Sequence, residues 1–186
     1  MAADKNKMSR RDLFVGGFRR LRKNAQSVGD LRSDDSPLRK AQQPKVSMFE
    51  MGEKALQRGE LDKAVRRLRE CVKTDTGDAD ARLKLGEALY RLGKHVQARV
   101  ELERVLRLRP KENLARLYLG LSLCRLGKAD RVRSAWEDYF EPDNIELQRE
   151  INLQLAILET DEEPDLDQAA AAVERAAGVA QAEEET

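Results

Sequence analysis

Arg82-Leu83-Lys84-Leu85-Gly86-Glu87-Ala88-Leu89-Tyr90-Arg91-Leu92-Gly93 reads as one amphipathic helix and its stop. Leu83, Leu85, Leu89 and Tyr90 lie on a broad apolar stripe at helical spacing. Gly93 stands where a helix ends best on a residue with positive φ. Gly86 is harder to place, because a glycine inside a helix costs about 1 kcal/mol against alanine. Its recurrence supplies the reason. Gly52, Gly86 and Gly120 stand 34 residues apart, as do Gly59, Gly93 and Gly127, and Ala64, Ala98 and Val132. A missing side chain at one position of three helices lets a neighbouring helix come close. Ala64 and Ala98 are expected to do the same from the opposing helix. A 34-residue period is that of a helix–turn–helix unit that stacks into a solenoid.

The repeats divide as 45–78, 79–112 and 113–146. In the second, Ala98, Leu102, Val105 and Leu106 mark the inner face of a second helix, and Pro110 ends it, since proline cannot extend a helix from within. Ile145–Leu158 continues the apolar pattern through Ile151 and Leu155 but lacks the glycine. It is expected to be a capping helix, 145–158, because each repeat buries its face only against neighbours and the last one needs a cover.

Composition supports an all-α chain. Of 186 residues 37% are charged and 4% aromatic, too few aromatics for a sandwich or barrel. Net charge is +1, but it is unevenly spread. Residues 1–46 carry twelve Lys or Arg against five acids, and 159–186 carry one Arg against ten. That pattern predicts a folded centre between a basic arm, 1–44, and an acidic, alanine-rich tail, 159–186, both solvated. Within the tail, Asp165–Ala180 is helix-prone and is expected to fray. No apolar run is long enough to span a membrane.

The repeat pattern resembles the tetratricopeptide repeat. The matching residues are Met51-Gly52, Leu85-Gly86 and Leu119-Gly120, then Gly59, Gly93 and Gly127, then Ala64 and Ala98, with Trp136 and Tyr139 at large and small second-helix positions of repeat three. Val132 replaces the alanine, Tyr139 a small residue, and the closing proline is present as Pro110 alone. The resemblance implies a right-handed α-solenoid with a capping helix and flexible termini. It also implies a concave groove lined by the first helices, with Phe49, Glu53, Leu56, Leu83, Glu87, Tyr90, Leu117, Leu121 and Cys124 in it and Arg91 and Arg125 at its edge. Phe49 and Glu53 stand at two positions where some family members grip a peptide carboxylate, so that mode is not expected. An apolar strip with Glu53 and Glu87 suits a helix or extended peptide bearing leucines, aromatics and basic residues. Aspartate at both Leu83 and Leu117 is expected to block the groove and leave the helices intact.

The arm adds a second feature. Ser9-Arg10-Arg11-Asp12-Leu13-Phe14 is similar to a twin-arginine motif, but no apolar stretch of signal length follows it. Phe14, Phe18, Leu21 and Ala25 form an apolar edge beside Arg10, Arg11, Arg19 and Arg20, a short basic amphipathic helix weakened by Gly16-Gly17. It can lie on an anionic membrane surface, dock on a partner, or fold back into the groove. A basic arm beside a near-neutral core with few stacking aromatics does not suit a specific nucleic-acid reader.

No constellation points to catalysis. The one histidine, His95, falls in a predicted turn and is expected to be solvated, and two cysteines, Cys71 and Cys124, make no zinc site by themselves. Both cysteines sit in apolar helical patterns and are expected to be buried thiols of a reducing compartment. No metal and no cofactor are expected. The sequence therefore points to a non-catalytic cytoplasmic scaffold that binds a protein or peptide. The alternative is a peripheral membrane or redox-complex assembly factor held by its arm at the inner face of a membrane.

Overall fold

The computed structural model describes residues 48–179, and among these every regular element is a helix. In chain order they are α1 (48–57), α2 (Leu61–Thr74), α3 (Ala79–Arg91), α4 (His95–Leu108), α5 (Asn113–Cys124), α6 (Ala129–Trp136), α7 (Ile145–Thr160) and α8 (Leu166–Ala177). Each of α3 to α6 packs on its neighbour in sequence, and α3 also packs on α5, so first helices of successive repeats lie side by side. The result is a right-handed α-solenoid with one continuous core, from Ala55 and Leu56 to Val173.

The glycine series has the cause expected of it, with one change of partner. A Cβ on Gly52 would come 2.8 Å from Leu68, and one on Gly86 would come 2.7 Å from Leu102. On Gly120 it would overlap the indole of Trp136. The glycines thus make room for the large residue sixteen positions on, and not for Ala64 or Ala98, which are themselves fully buried. In repeat three the indole fills that place and donates from Nε1 to Leu117 O at 3.4 Å.

The turns repeat as closely as the helices. Gly59, Gly93 and Gly127 have φ of 74°, 72° and 66°. After each, the next residue's N–H reaches back to a carbonyl of the preceding helix: Glu60 to Ala55, Lys94 to Leu89, Lys128 to Leu123. Those bonds satisfy carbonyls that the helix end would otherwise leave bare. A second periodic device holds the loops between repeats. Arg82 Nη2 donates to Thr76 O at 2.7 Å, and Arg116, 34 residues later, donates likewise to Pro110 O at 3.0 Å. Arg82 is buried and closes a further bond to Glu101 at 2.5 Å, which offsets the cost of burying its charge.

The end of the stack departs from the simple repeat. α6 has 8 residues where α2 and α4 have 14. Pro142 disfavours helical backbone at Glu141, and the intervening loop is tied down by Asn113, which bonds Phe140 O, and by Gln148, which accepts from Glu141 N at 2.7 Å. The expected capping helix is α7, but it does not close the stack alone. α8, placed by sequence in a solvated, fraying tail, is an ordered helix that packs on α7 and on α5. Asp165 caps its start, Gly178 with φ 65° closes its end, and Ala169, Ala170, Val173 and Glu174 are buried.

Candidate functional site

The first helices carry the expected groove residues, but the apolar ones are not an open strip. Leu56, Leu83, Leu117 and Leu121 are all buried, the last completely. They pack into the core that neighbouring repeats share. Aspartate at Leu83 and Leu117 would therefore break the core, contrary to the expectation that the helices would survive it. Phe49, Glu53 and Arg91 are half-buried. Glu87 is mostly covered and accepts from Lys84 Nζ at 3.1 Å. Arg91 donates to Leu56 O, at 3.3 Å, which ties repeat two to repeat one. Arg10, Arg11, Phe14, Phe18, Arg19 and Arg20 lie outside the described residues.

Tyr90, Cys124 and Arg125 converge at the C-terminal ends of α3 and α5, and α8 completes the cluster. Tyr90 Oη donates to Glu174 Oε1. Arg125 Nη2 donates to both Glu174 oxygens, at 3.0 and 3.2 Å, and its Nη1 donates to Asp167 Oδ1 at 3.0 Å. Tyr90 also packs its ring on His95 and Tyr118, with centroids 5.2 and 5.6 Å apart. His95 is not the solvated turn residue expected. It opens α4, and its Nδ1 is buried with no hydrogen-bond partner among the described residues.

The electrostatics follow from burial and pairing. Burial, then the bond to Glu174, holds the Tyr90 hydroxyl far above its ordinary range. Burial and the nearby Glu87 carboxylate do the same for Tyr118. Burial pushes the Cys124 thiol up to about 12, so it is not a reactive thiolate. Burial, helped by the Arg125 charge, lowers the His95 pKa. Burial opposes the Arg125 charge, but its bonds to Tyr90 and Glu174 outweigh that and keep it ionised. Such a cluster can hold a carboxylate on a helix; it offers no activated nucleophile.

The sequence pattern puts Tyr90, Cys124 and Arg125 on the first helices or at their edge but does not single out Asp167, Ala169, Ala170, Val173 and Glu174. A signal was present. Leu166, Ala169, Ala170, Val173 and Ala177 recur at helical spacing between an Asp165 cap and Gly178.

Residues 55–121 match the family model described as tetratricopeptide repeat. Residues 55–121 thus carry the tetratricopeptide-repeat pattern. No curated protein matches the chain in sequence. Among solved structures, the first tetratricopeptide domain of Spaghetti (RPAP3) bound to the HSP90 peptide SRMEEVD is similar, with 22% identity and a TM-score of 0.54 over 61% of this chain and 94% of that one. MamA is similar at 20% identity and a TM-score of 0.58, over 72% and 77%. The first tetratricopeptide domain of human RPAP3 gives 21% and 0.54, over 63% and 96%. At these identities the likeness is one of fold.

Proposed function

We propose that the chain is a non-catalytic protein-interaction scaffold whose tetratricopeptide repeats hold a partner helix or peptide on the face made by α1, α3 and α5. The supporting observation is that this face already holds a helix, α8, through Tyr90 and Arg125. The solved RPAP3 domain, which carries a bound peptide, shows the same fold in use as a peptide holder. Cys71 and Cys124 are both buried, as suits small apolar core residues of a protein in a reducing, cytoplasmic setting. Glu53 gives the open end of the face an acidic character that favours a basic partner there. Affinity capture with the full chain, followed by mass spectrometry, tests the reading. Glu53→Lys should remove the captured partner while the circular dichroism of the helices stays unchanged. An unaltered partner set would overturn the choice of face.

A second reading rests on the outer side of α2. Lys63, Arg66, Arg67, Arg69 and Lys73 are exposed there on one helix. With the basic arm, they suit attachment to an anionic membrane surface, worth about 1 kcal/mol per nearby cation. Flotation with phosphatidylserine vesicles should be lost in 0.5 M salt if this holds, on the order of the screening expected. A chain that never floats rules it out.

A further inference from the structure

α8 occupies the face that the scaffold reading reserves for a partner, and its contacts differ from those of a permanent core helix. Its fully buried apolar side chains are small, Ala169, Ala170 and Val173, while Leu166, Ala176, Ala177 and Val179 are only partly buried against the core. Its main polar anchor is a carboxylate, Glu174, held by Tyr90 and Arg125, with Asp167 on Arg125 two turns earlier. On leaving, Glu174 and Arg125 would both regain water, so the pair adds selectivity more than it adds stability. The tether from α7, 161–165, is short and largely exposed, and carries Pro164. Beside Tyr90, His95 Nδ1 is buried and makes no hydrogen bond among the described residues. The seat therefore has polar capacity that α8 does not use.

We propose that this seat is an exchangeable binding site, that α8 is its resident occupant, and that the partner is an acidic amphipathic helix which displaces α8. The entering helix presents a carboxylate to Tyr90 and Arg125 and a small apolar face of alanine or valine to α5. This rests on the scaffold reading for its biological use but not for its chemistry. The N-terminal arm, whose folding into the groove is one expectation from the sequence, lies outside the described residues; among those described, α8 is the helix seated on Tyr90 and Arg125. A partner for this seat is acidic, whereas one for the open end near Glu53 is basic.

The test uses the chain's own segment as the probe. A fluorescent peptide of residues 164–179 is titrated into the full chain and into the full chain carrying Ala170→Asp, which puts a charge into the buried face of α8. The tethered helix competes at a high effective concentration, so the variant should bind the peptide on the order of 100-fold more tightly than the parent. A peptide carrying Glu174→Gln should bind on the order of 30-fold more weakly, the loss expected when the partly exposed ion pair with Arg125 is broken. Absence of binding to the variant, or equal binding to both chains, overturns the proposal. Hydrogen exchange on the unaltered chain guards against a variant that does not fold. α8 amides should exchange well before those of α3 and α5, and equal protection overturns the proposal. A concentration-dependent dimer in sedimentation would put a second copy's α8 in the seat and overturn the choice of a foreign partner. If partner capture fails but the peptide binds, the seat stands and the scaffold reading falls. If capture succeeds and the peptide does not bind, the partner sits elsewhere on the repeats.

Discussion

In each repeat the first helix meets the second across a glycine, whereas α8 meets the same first helices across a carboxylate. The glycine seams are dry and close. Leu68, Leu102 and Trp136 each press on a backbone that has no Cβ, and all three are fully buried. The α8 seam adds charge to a mostly small apolar face. It pairs Glu174 and Asp167 with Tyr90 and Arg125 around Ala169, Ala170 and Val173, with Leu166, Ala176, Ala177 and Val179 partly buried beside them. The first kind of contact fails when volume changes, the second when charge changes. One is built to stay shut, and the other can be exchanged.

The sharpest way to break a dry seam is Gly120→Ala. The new methyl would overlap the Trp136 indole, which is buried on all sides and donates to Leu117 O. Overpacking of that kind costs about 3 kcal/mol, more than the roughly 1 kcal/mol of helix propensity gained. Gly86→Ala meets Leu102 at 2.7 Å, a longer approach to a smaller side chain, so a smaller loss of about 1–2 kcal/mol is expected. Urea denaturation of the two variants measures both. A Gly120→Ala chain no less stable than Gly86→Ala would contradict the account of the seam.

Glu174→Gln attacks the other seam and should give a different signature. Breaking a buried ion pair costs roughly 3–5 kcal/mol when both partners are fully desolvated. Arg125 keeps 21% of its side chain exposed, so about 2 kcal/mol is a fitting expectation. That loss should fall on α8 alone, as faster amide exchange of 166–177 with little change in the urea midpoint of α2 to α5. A cooperative drop of the whole domain would mean that α8 belongs to the core as firmly as the repeats do.

The contrast between seams also explains which parts of the molecule were legible in the sequence. A seam that depends on an absent side chain leaves a glycine at fixed period, and Gly52, Gly86 and Gly120 announce it. The φ-positive turns do the same. Arg82 and Arg116 were equally periodic, yet arginines on a charge-rich helix look like solvated surface until their loop carbonyls are seen. α8 was read as tail because ten acids in 159–186 outweighed its small apolar stripe. Pairing across 49 and 84 residues, from Arg125 and Tyr90 to Glu174, leaves no local spacing to detect. The leucines of the inner face can serve a partner or the packing between repeats as far as the sequence goes, since an apolar stripe does not state what covers it; in the fold Leu56, Leu83, Leu117 and Leu121 are in the core.

Gly93 and Gly178 allow the comparison to be made with one kind of change. Both have positive φ and open space where a Cβ would go. Alanine at either should cost about 1–2 kcal/mol, all of it backbone strain. At Gly93 the loss should appear in the global midpoint. At Gly178 it should appear only as increased exchange in α8. Equal effects on the midpoint would erase the distinction between the two seams.

His95 gives the smallest effect and the finest discrimination, because it is the one histidine of the chain and its imidazole resonances report the cluster without ambiguity. Burial and Arg125 lower its pKa, while Glu174 and Asp167 on α8 pull it upward. The neutral ring is thus favoured in the fold. Above the unfolded value near 6.5 it contributes no pH dependence; as pH falls through that value the unfolded chain takes up the proton first, and stability declines until the lowered folded pKa is passed. The decline should be under about 1 kcal/mol, since the ring is only half-buried. Glu174→Gln removes one of the two acids that pull the midpoint upward, so the His95 midpoint should move down. If α8 also leaves, Asp167 goes with it and Arg125 stays behind without its acids, so the electrostatic part of the shift should be larger and should be matched by free exchange of the α8 amides. An unchanged midpoint in the proton resonance titration would show that Glu174 does not act on the cluster.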